Sequence, residues 1–276
     1  MKTKILLTAV WLLLSTINSQ LSTTFAQGSL TPPGAPVPTM KTLDQIEPRL
    51  PIDLVHTPGD ISSAYVISNS GSFYLLTNLT SVSGKSYIIT IKANDVSIDL
   101  NGFSLLGQGT ASFGIITPNF QTNIVVRNGM VSRFISYGID CFNVYYGSFD
   151  HLTLSQNFYG GLAPGRKSLV QDCLAVGNRL DGFYVPGYTV VRNCAASDNN
   201  STGIHVLETG ARIEGNHLAR NGIGVKVDSG GNFIMRNSST GSITNNYSIA
   251  ANNVAGPLVN FSNISTNSNP HANYDY

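Results

Sequence analysis

A chain that rewrites one short segment at a fixed interval is built as a stack of copies of one unit, because a single copy cannot bury its own apolar face. Residues 190–206 read VVRNCAASDNNSTGIHV, and residues 169–185 (LVQDCLAVGNRLDGFYV) and 211–227 (ARIEGNHLARNGIGVKV) restate them. Aligned on this repeat, Asn128, His151, Asp172, Asn193, Gly215 and Asn237 form one column with spacings of 23, 21, 21, 22 and 22. Two places earlier every residue is apolar: Val126, Phe149, Val170, Val191, Ile213 and Met235. Three places later stand Val131, Leu154, Ala175, Ala196, Leu218 and Thr240. A glycine column (Gly138, Gly161, Gly182, Gly203, Gly224) is followed each time by an apolar residue.

A helical unit would need apolar residues every three or four positions over ten or more residues. These units alternate apolar and polar over only three or four residues, as in IHV and VKV, and Asn, Gly and Ser separate the alternations. That is strand and turn chemistry. Coils of this length, stacked about 4.8 Å apart, turn each apolar column into a continuous interior stripe. Asn157, Asn178, Asn199 and Asn221 make a further column. Stacked side-chain amides can donate to one neighbour and accept from the other, and asparagine tolerates left-handed backbone at a sharp corner.

These segments resemble the right-handed parallel β-helix repeats of the pectin-lyase-like superfamily. The earlier stretch with DLNGFSLLG (residues 99–107) resembles the leading coil of secreted bacterial members. The resemblance covers about residues 60–255 and implies an all-β fold: a single-stranded right-handed parallel β-helix of about seven coils with capped ends. The fold hosts lyases, hydrolases, binding proteins and scaffolds, so it does not by itself assign an activity.

Residues outside the coils divide as follows. Lys2 and Lys4 precede an apolar run at residues 5–14 broken only by Thr8, and Thr24-Phe25-Ala26 supplies small residues for cleavage. This is a signal peptide over 1–26, too short in its apolar run to span ~30 Å of hydrocarbon, and no later segment is longer. It implies a secreted, periplasmic or cell-surface protein. Residues 27–40 read as a Pro-rich linker, 41–75 as an N-terminal cap with the first strand, 76–255 as the β-helix and 256–276 as a C-terminal cap in which Pro257 and Pro270 discourage further coils.

Charged residues are only 11 % of the chain and the net charge is +1, which excludes the basic footprint of a nucleic-acid-binding protein. The superfamily's hydrolase patterns (Asn-Thr-Asp, Asp-Asp, Gly-His-Gly, Arg-Ile-Lys) are absent; Arg212 and Ile213 are followed by Glu214. Asp150-His151 is similar to the Asp-His of the lyase signature but lacks its aromatic and aspartate context. Only that lyase-like reading would call for a calcium ion; no other cofactor and no metal site is expected. The outward column Arg127, Asp150, Gln171, Arg192, Glu214, Arg236 alternates in charge, as weakly paired surface strands do. Asp150, His151, Arg192, Glu214 and Lys226 are the candidates for catalysis should the protein be a lyase or hydrolase. Asp140, Asp181, Asp198 and Asp228 are expected in or near turns.

Aromatic residues concentrate in three consecutive coils. Tyr145, Tyr146, Tyr159, Tyr184 and Tyr188, with His205 beside Tyr184, could form a platform for stacking sugar rings. The main expectation is therefore a protein that binds an extracellular or cell-envelope polysaccharide, with a lyase or hydrolase and a non-catalytic scaffold as the alternatives. His217 is expected in a turn-like stretch, with no His pair at metal spacing. Cys141, Cys173 and Cys194 point inward as small apolar fillers, and the poor orientation of stacked parallel side chains leaves them as free thiols.

Overall fold

The computed structural model describes residues 48–276; the expected signal peptide and Pro-rich linker lie outside the described residues. Those residues form a parallel β-solenoid with no helix. One sheet contains nine parallel strands, one per coil, from Ser63–Ile67 through Tyr137–Asp140, Gly160–Ala163, Asp181–Val185, Thr202–Val206 and Ile223–Val227 to Asn245–Ile249. A second sheet of eighteen strands takes two short strands from a typical coil, such as Leu169–Gln171 and Leu174–Val176. The coils number nine rather than about seven. The first three carry longer intervals than the later repeat: Tyr65, Ile89, Ile115 and Ile139 share a column yet are 24, 26 and 24 residues apart. A search tuned to 21–23 residues therefore undercounts them.

The pairing corrects one register. Glu214 lies opposite Met235, and Leu218 opposite Ser239. Gly215 therefore aligns with Arg236 rather than Asn237, and Met235, Thr240 and Arg236 each shift by one row. A one-residue slip exchanges inward and outward side chains, so it hid an interior column. Asn237 stacks on Asn216, not on the corner glycine.

Three corners recur in each of the later coils, and each has the same construction: a residue with left-handed backbone followed by one whose side chain points inward. At the first corner φ is positive at Asn128, His151, Asp172, Asn193, Gly215 and Arg236. At the second it is positive at Arg133, Gln156, Gly177, Asp198, Arg220 and Gly241. The third runs through Asn123, Tyr146, Lys167, Tyr188, Gly210, Gly231 and Asn252. The residue after the second corner is the buried series Asn157, Asn178, Asn199, Asn221, which forms a ladder. Asn178 Nδ2 donates to Asn199 Oδ1 (2.9 Å) and to the Leu154 carbonyl (3.1 Å), while Asn178 Oδ1 accepts from the Asn157 backbone N–H (3.0 Å) and Nδ2 (3.1 Å). Asn216, Asn237 and Asn273 make a second ladder after the first corner, and Asn232 and Asn253 a third. Buried polar groups are tolerable because they are satisfied. Among the described residues, only Ser242 Oγ is buried without a partner.

The glycine column follows from the ladder. A Cβ on Gly182 would stand 2.6 Å from the Gly203 carbonyl and 3.1 Å from both Ala175 Cβ and Asn199 Nδ2. Between the corners the interior is apolar, with Val170, Val191, Ile213 and Ile234 in one stripe and Leu162, Phe183, Ile204 and Val225 in another. All three cysteines are buried and free. At the N-terminal end Pro58 bridges Tyr65 in antiparallel sense, covering the first strand edge. At the other end Asn273–Asp275 returns to pair with Ser238–Thr240, closing the eighteen-stranded sheet. Both devices blunt edges that would otherwise template further pairing.

Replacing Asn178 with Ala leaves the Asn157 backbone N–H without its acceptor and takes one bond each from the Leu154 carbonyl, Asn199 Oδ1 and Asn157 Nδ2. We expect a loss of at least about 3 kcal/mol in urea unfolding, and about 1–3 kcal/mol for Gly182→Ala, which overpacks the same corner.

Candidate functional site

The outer face of the nine-stranded sheet carries two columns of outward residues. One runs Tyr87, Phe113, Tyr137, Gly160, Asp181 and Thr202. The other runs Tyr184, His205 and Lys226 on successive coils, preceded by Asp140 and Ala163. Gly160 and Ala163 leave a dip on one coil, and the Tyr137 ring leans into it: a Cβ on Gly160 would meet Tyr137 Cε1 at 2.6 Å. Tyr137 then lies 6.2 Å from Tyr184 and 6.3 Å from Tyr159, while Tyr184 lies 5.9 Å from Phe142 and 5.4 Å from His205, between ring centroids. Four aromatic rings and an imidazole thus adjoin across coils that are far apart in sequence.

Polar groups border the rings. Asp181 is buried; its Oδ1 accepts from the Thr202 backbone N–H (3.0 Å) and its Oδ2 meets His205 Nδ1 (3.1 Å). Asp228 Oδ2 meets His205 Nε2 (2.8 Å), and Lys226 Nζ stands 3.1 Å from Asp228 Oδ1 and 3.3 Å from His205 Nε2. Burial pulls the His205 pKa down, but hydrogen bonds to Asp181 and Asp228 outweigh it and hold the imidazole above its ordinary value. Burial also opposes ionisation of Asp228, yet His205 and Lys226 keep its carboxyl below the usual range. Asp140 is different: burial pushes its carboxyl up, and the Phe142 N–H (3.2 Å) offsets this only in part. Burial, reinforced by Asp181, pushes the Tyr137 hydroxyl up as well.

Of the residues singled out in the sequence, Tyr159, Tyr184, His205 and Lys226 come together on this face. Tyr145, Tyr146 and Tyr188 lie around the third corner. Asp140 is the last residue of strand Tyr137–Asp140 and Asp181 the first of strand Asp181–Val185, each at the edge of a turn. The sequence pattern does not single out Tyr137, and it includes Phe142 in the aromatic cluster without placing it in the platform; their partners lie one to two coils away. The signal that finds them is the register: once rows are paired, Gly160 beneath Tyr137 marks a vacancy that a neighbouring ring fills.

The remaining catalytic candidates Asp150, His151, Arg192 and Glu214 lie on the other sheet, each with a polar partner. Gln171 Nε2 donates to Asp150 Oδ1 (3.3 Å), and the Arg192 Nη2 donates to Gln171 Oε1 (2.7 Å). Glu214 is held by Arg212 (2.7 Å) and Arg236 (3.1 Å), which keep its carboxyl below the usual range. His217 lies in a strand, not a turn, with Nδ1 2.8 Å from Ser238 Oγ. His151 Nδ1 is 2.7 Å from Asp150 Oδ1, and Asp150, His151 and Asp172 offer three ligand atoms within 4.8 Å of one another. Asp172 joins this exposed group from the next coil, so no local spacing marks it.

No protein-family model matches the chain, and no curated protein matches it. Among solved structures, the crystal structure of the Dettilon tailspike protein is similar, with a TM-score of 0.57 at 17 % sequence identity over 72 % of this chain and 46 % of the tailspike. The chain therefore spans less than half of that protein's length, and at this identity the likeness is one of fold. Among the described residues no helix is long and apolar enough to cross a membrane.

Protonated His205 donates from both nitrogens; neutral His205 must surrender one bond. Its folded-state pKa is raised, so its stabilising contribution is complete below the ordinary 6.5 and is lost as pH rises through the folded value. We expect Tm to decline across that interval, and the decline to vanish in His205→Gln.

Proposed function

We propose that the protein binds polysaccharide on the outer face of its nine-stranded sheet, as a secreted or cell-surface member of the pectin-lyase-like superfamily. The observation that carries this reading is the contiguous aromatic group of Tyr137, Phe142, Tyr159 and Tyr184, bordered by Asp181, His205 and Lys226. Sugar rings present apolar faces to aromatic side chains and hydroxyls to polar ones. A parallel sheet with rungs about 4.8 Å apart supplies a long, straight wall for a chain-like ligand. The signal-peptide pattern and the likeness in fold to a tailspike protein support a setting outside the cell.

A second reading, hydrolysis of the bound glycan, is favoured by one observation. Asp140 is held toward its protonated form by burial on the same face where Asp181 is engaged by His205. A carboxyl pushed up, on a face where the Asp228 carboxyl is kept below the usual range, is the kind of division of labour that acid–base cleavage needs. Asp140 would be the proton donor in that case.

A glycan-array screen identifies ligands. Against the best of them we expect Tyr184→Ala and Tyr159→Ala to weaken binding by up to about tenfold each, the range of an aromatic contact, while Tyr274→Ala at the far end leaves it unchanged. Released reducing ends without unsaturated sugars, lost in Asp140→Asn, would establish the hydrolytic reading. Absence of ligands on the array would leave a scaffold.

A further inference from the structure

The third corner column runs through Asp95, Asn123, Tyr146, Lys167, Tyr188, Gly210, Gly231 and Asn252, with φ between 54° and 80° throughout. Most coils place there what left-handed backbone accepts: glycine, asparagine or aspartate. Three consecutive coils instead place Tyr, Lys and Tyr, for which this conformation is strained. Burial does not explain the choice, since Tyr146 is 53 % exposed and Tyr188 is 56 % exposed. Gly210, one coil on, lets the Tyr188 ring lie against the wall: a Cβ there would stand 2.5 Å from Tyr188 Cδ1. One ring face is thereby fixed and the other left open. Lys167 Nζ stands 5.7 Å and 5.6 Å from the ring centroids of Tyr145 and Tyr146. Among the described residues Lys167 forms no ion pair, whereas its neighbour Arg166 is taken by Glu208. Phe120 extends the group, 5.1 Å from Tyr145.

Strained backbone retained at adjacent positions, and filled with exposed side chains that packing does not require, is a mark of a binding site. We propose that the ridge Tyr146–Lys167–Tyr188 binds acidic polysaccharide, separately from the sheet face: tyrosine rings stack on sugars and Lys167 takes a carboxylate or sulfate. The chemistry selects this ligand. A nucleic acid needs many cations along its phosphates, and the ridge offers one. A neutral glycan would make no use of the Lys167 charge, which no carboxylate among the described residues pairs. The inference does not rest on the sheet-face reading, because the two groups of side chains are distinct.

Affinity electrophoresis through gels carrying hyaluronate, dextran sulfate or neutral dextran tests it. We expect retention on an acidic gel, weakened by salt, and none on dextran; the hyaluronate and dextran sulfate arms tell carboxylate from sulfate. Lys167→Gln, Tyr146→Gly and Tyr188→Gly should each reduce retention at least tenfold, while Tyr274→Ala, outside both groups, retains it. Because glycine relieves the left-handed strain, the two glycine variants should keep their Tm or gain roughly 2–4 °C. The proposal is overturned if wild-type protein is not retained on either acidic gel, if Lys167→Gln is retained like wild type, if Tyr274→Ala loses retention equally, or if the glycine variants lose several degrees of Tm and so reveal a structural role.

Discussion

Register between coils is the constraint on which everything else depends. Parallel strands can slide, and a slip of one residue turns a coil inside out. Two features forbid the slip. Left-handed residues recur in register at three corners, so a shifted coil would force β-branched residues such as Val176 or Thr189 toward backbone they disfavour. Behind each corner an asparagine ladder adds directional bonds that a shifted coil would leave unmade. Asn178 contributes four such bonds. Apolar stripes alone would tolerate sliding, because valine over isoleucine packs nearly as well as valine over valine. The amides do not.

A rigid interior frees the exterior. Outward residues on neighbouring coils stand about 4.8 Å apart whatever their identity, so a site can be assembled from side chains more than forty residues apart, as with Tyr137 and Tyr184. On such a scaffold, the places where the exterior departs from the repeat are the candidates for function. On the nine-stranded face the departure is a dip at Gly160 and Ala163 filled by Tyr137. At the third corner it is tyrosine and lysine where other coils have glycine or asparagine. Around Asp150, Gln171 and Arg192 the exterior instead behaves as paired surface, each polar group engaged by the next rung.

Much of the fold was legible because the repeat encodes it directly. The Val126 column, the glycine column and the Asn157 series stand out in the sequence, and each has one physical cause. The coil number was less legible because the early coils are longer and carry no ladder asparagine: the column ahead of Asn157 holds Phe134. The second ladder was hidden by a single misaligned glycine, since Gly215 and Asn237 both suit a corner and spacing alone cannot choose between them. The candidate site was only partly legible. Tyr184 and His205 sit in adjacent rows of the repeat, so their proximity followed from the alignment. Tyr137 reaches Tyr184 across an intervening coil, and His205 is fixed by Asp181 and Asp228 from the coils on either side. Those contacts depend on rotamers and register together, neither of which a one-dimensional pattern contains.

The ladder is tested most directly by a double-mutant cycle on two of its adjacent members, Asn199 and Asn221, measured by urea unfolding. If their amides bond to each other across the rungs, the double replacement by Ala costs less than the sum of the singles by at least about 1 kcal/mol, since breaking the pair once already forfeits the shared bonds. Additivity within about 0.5 kcal/mol would contradict the account.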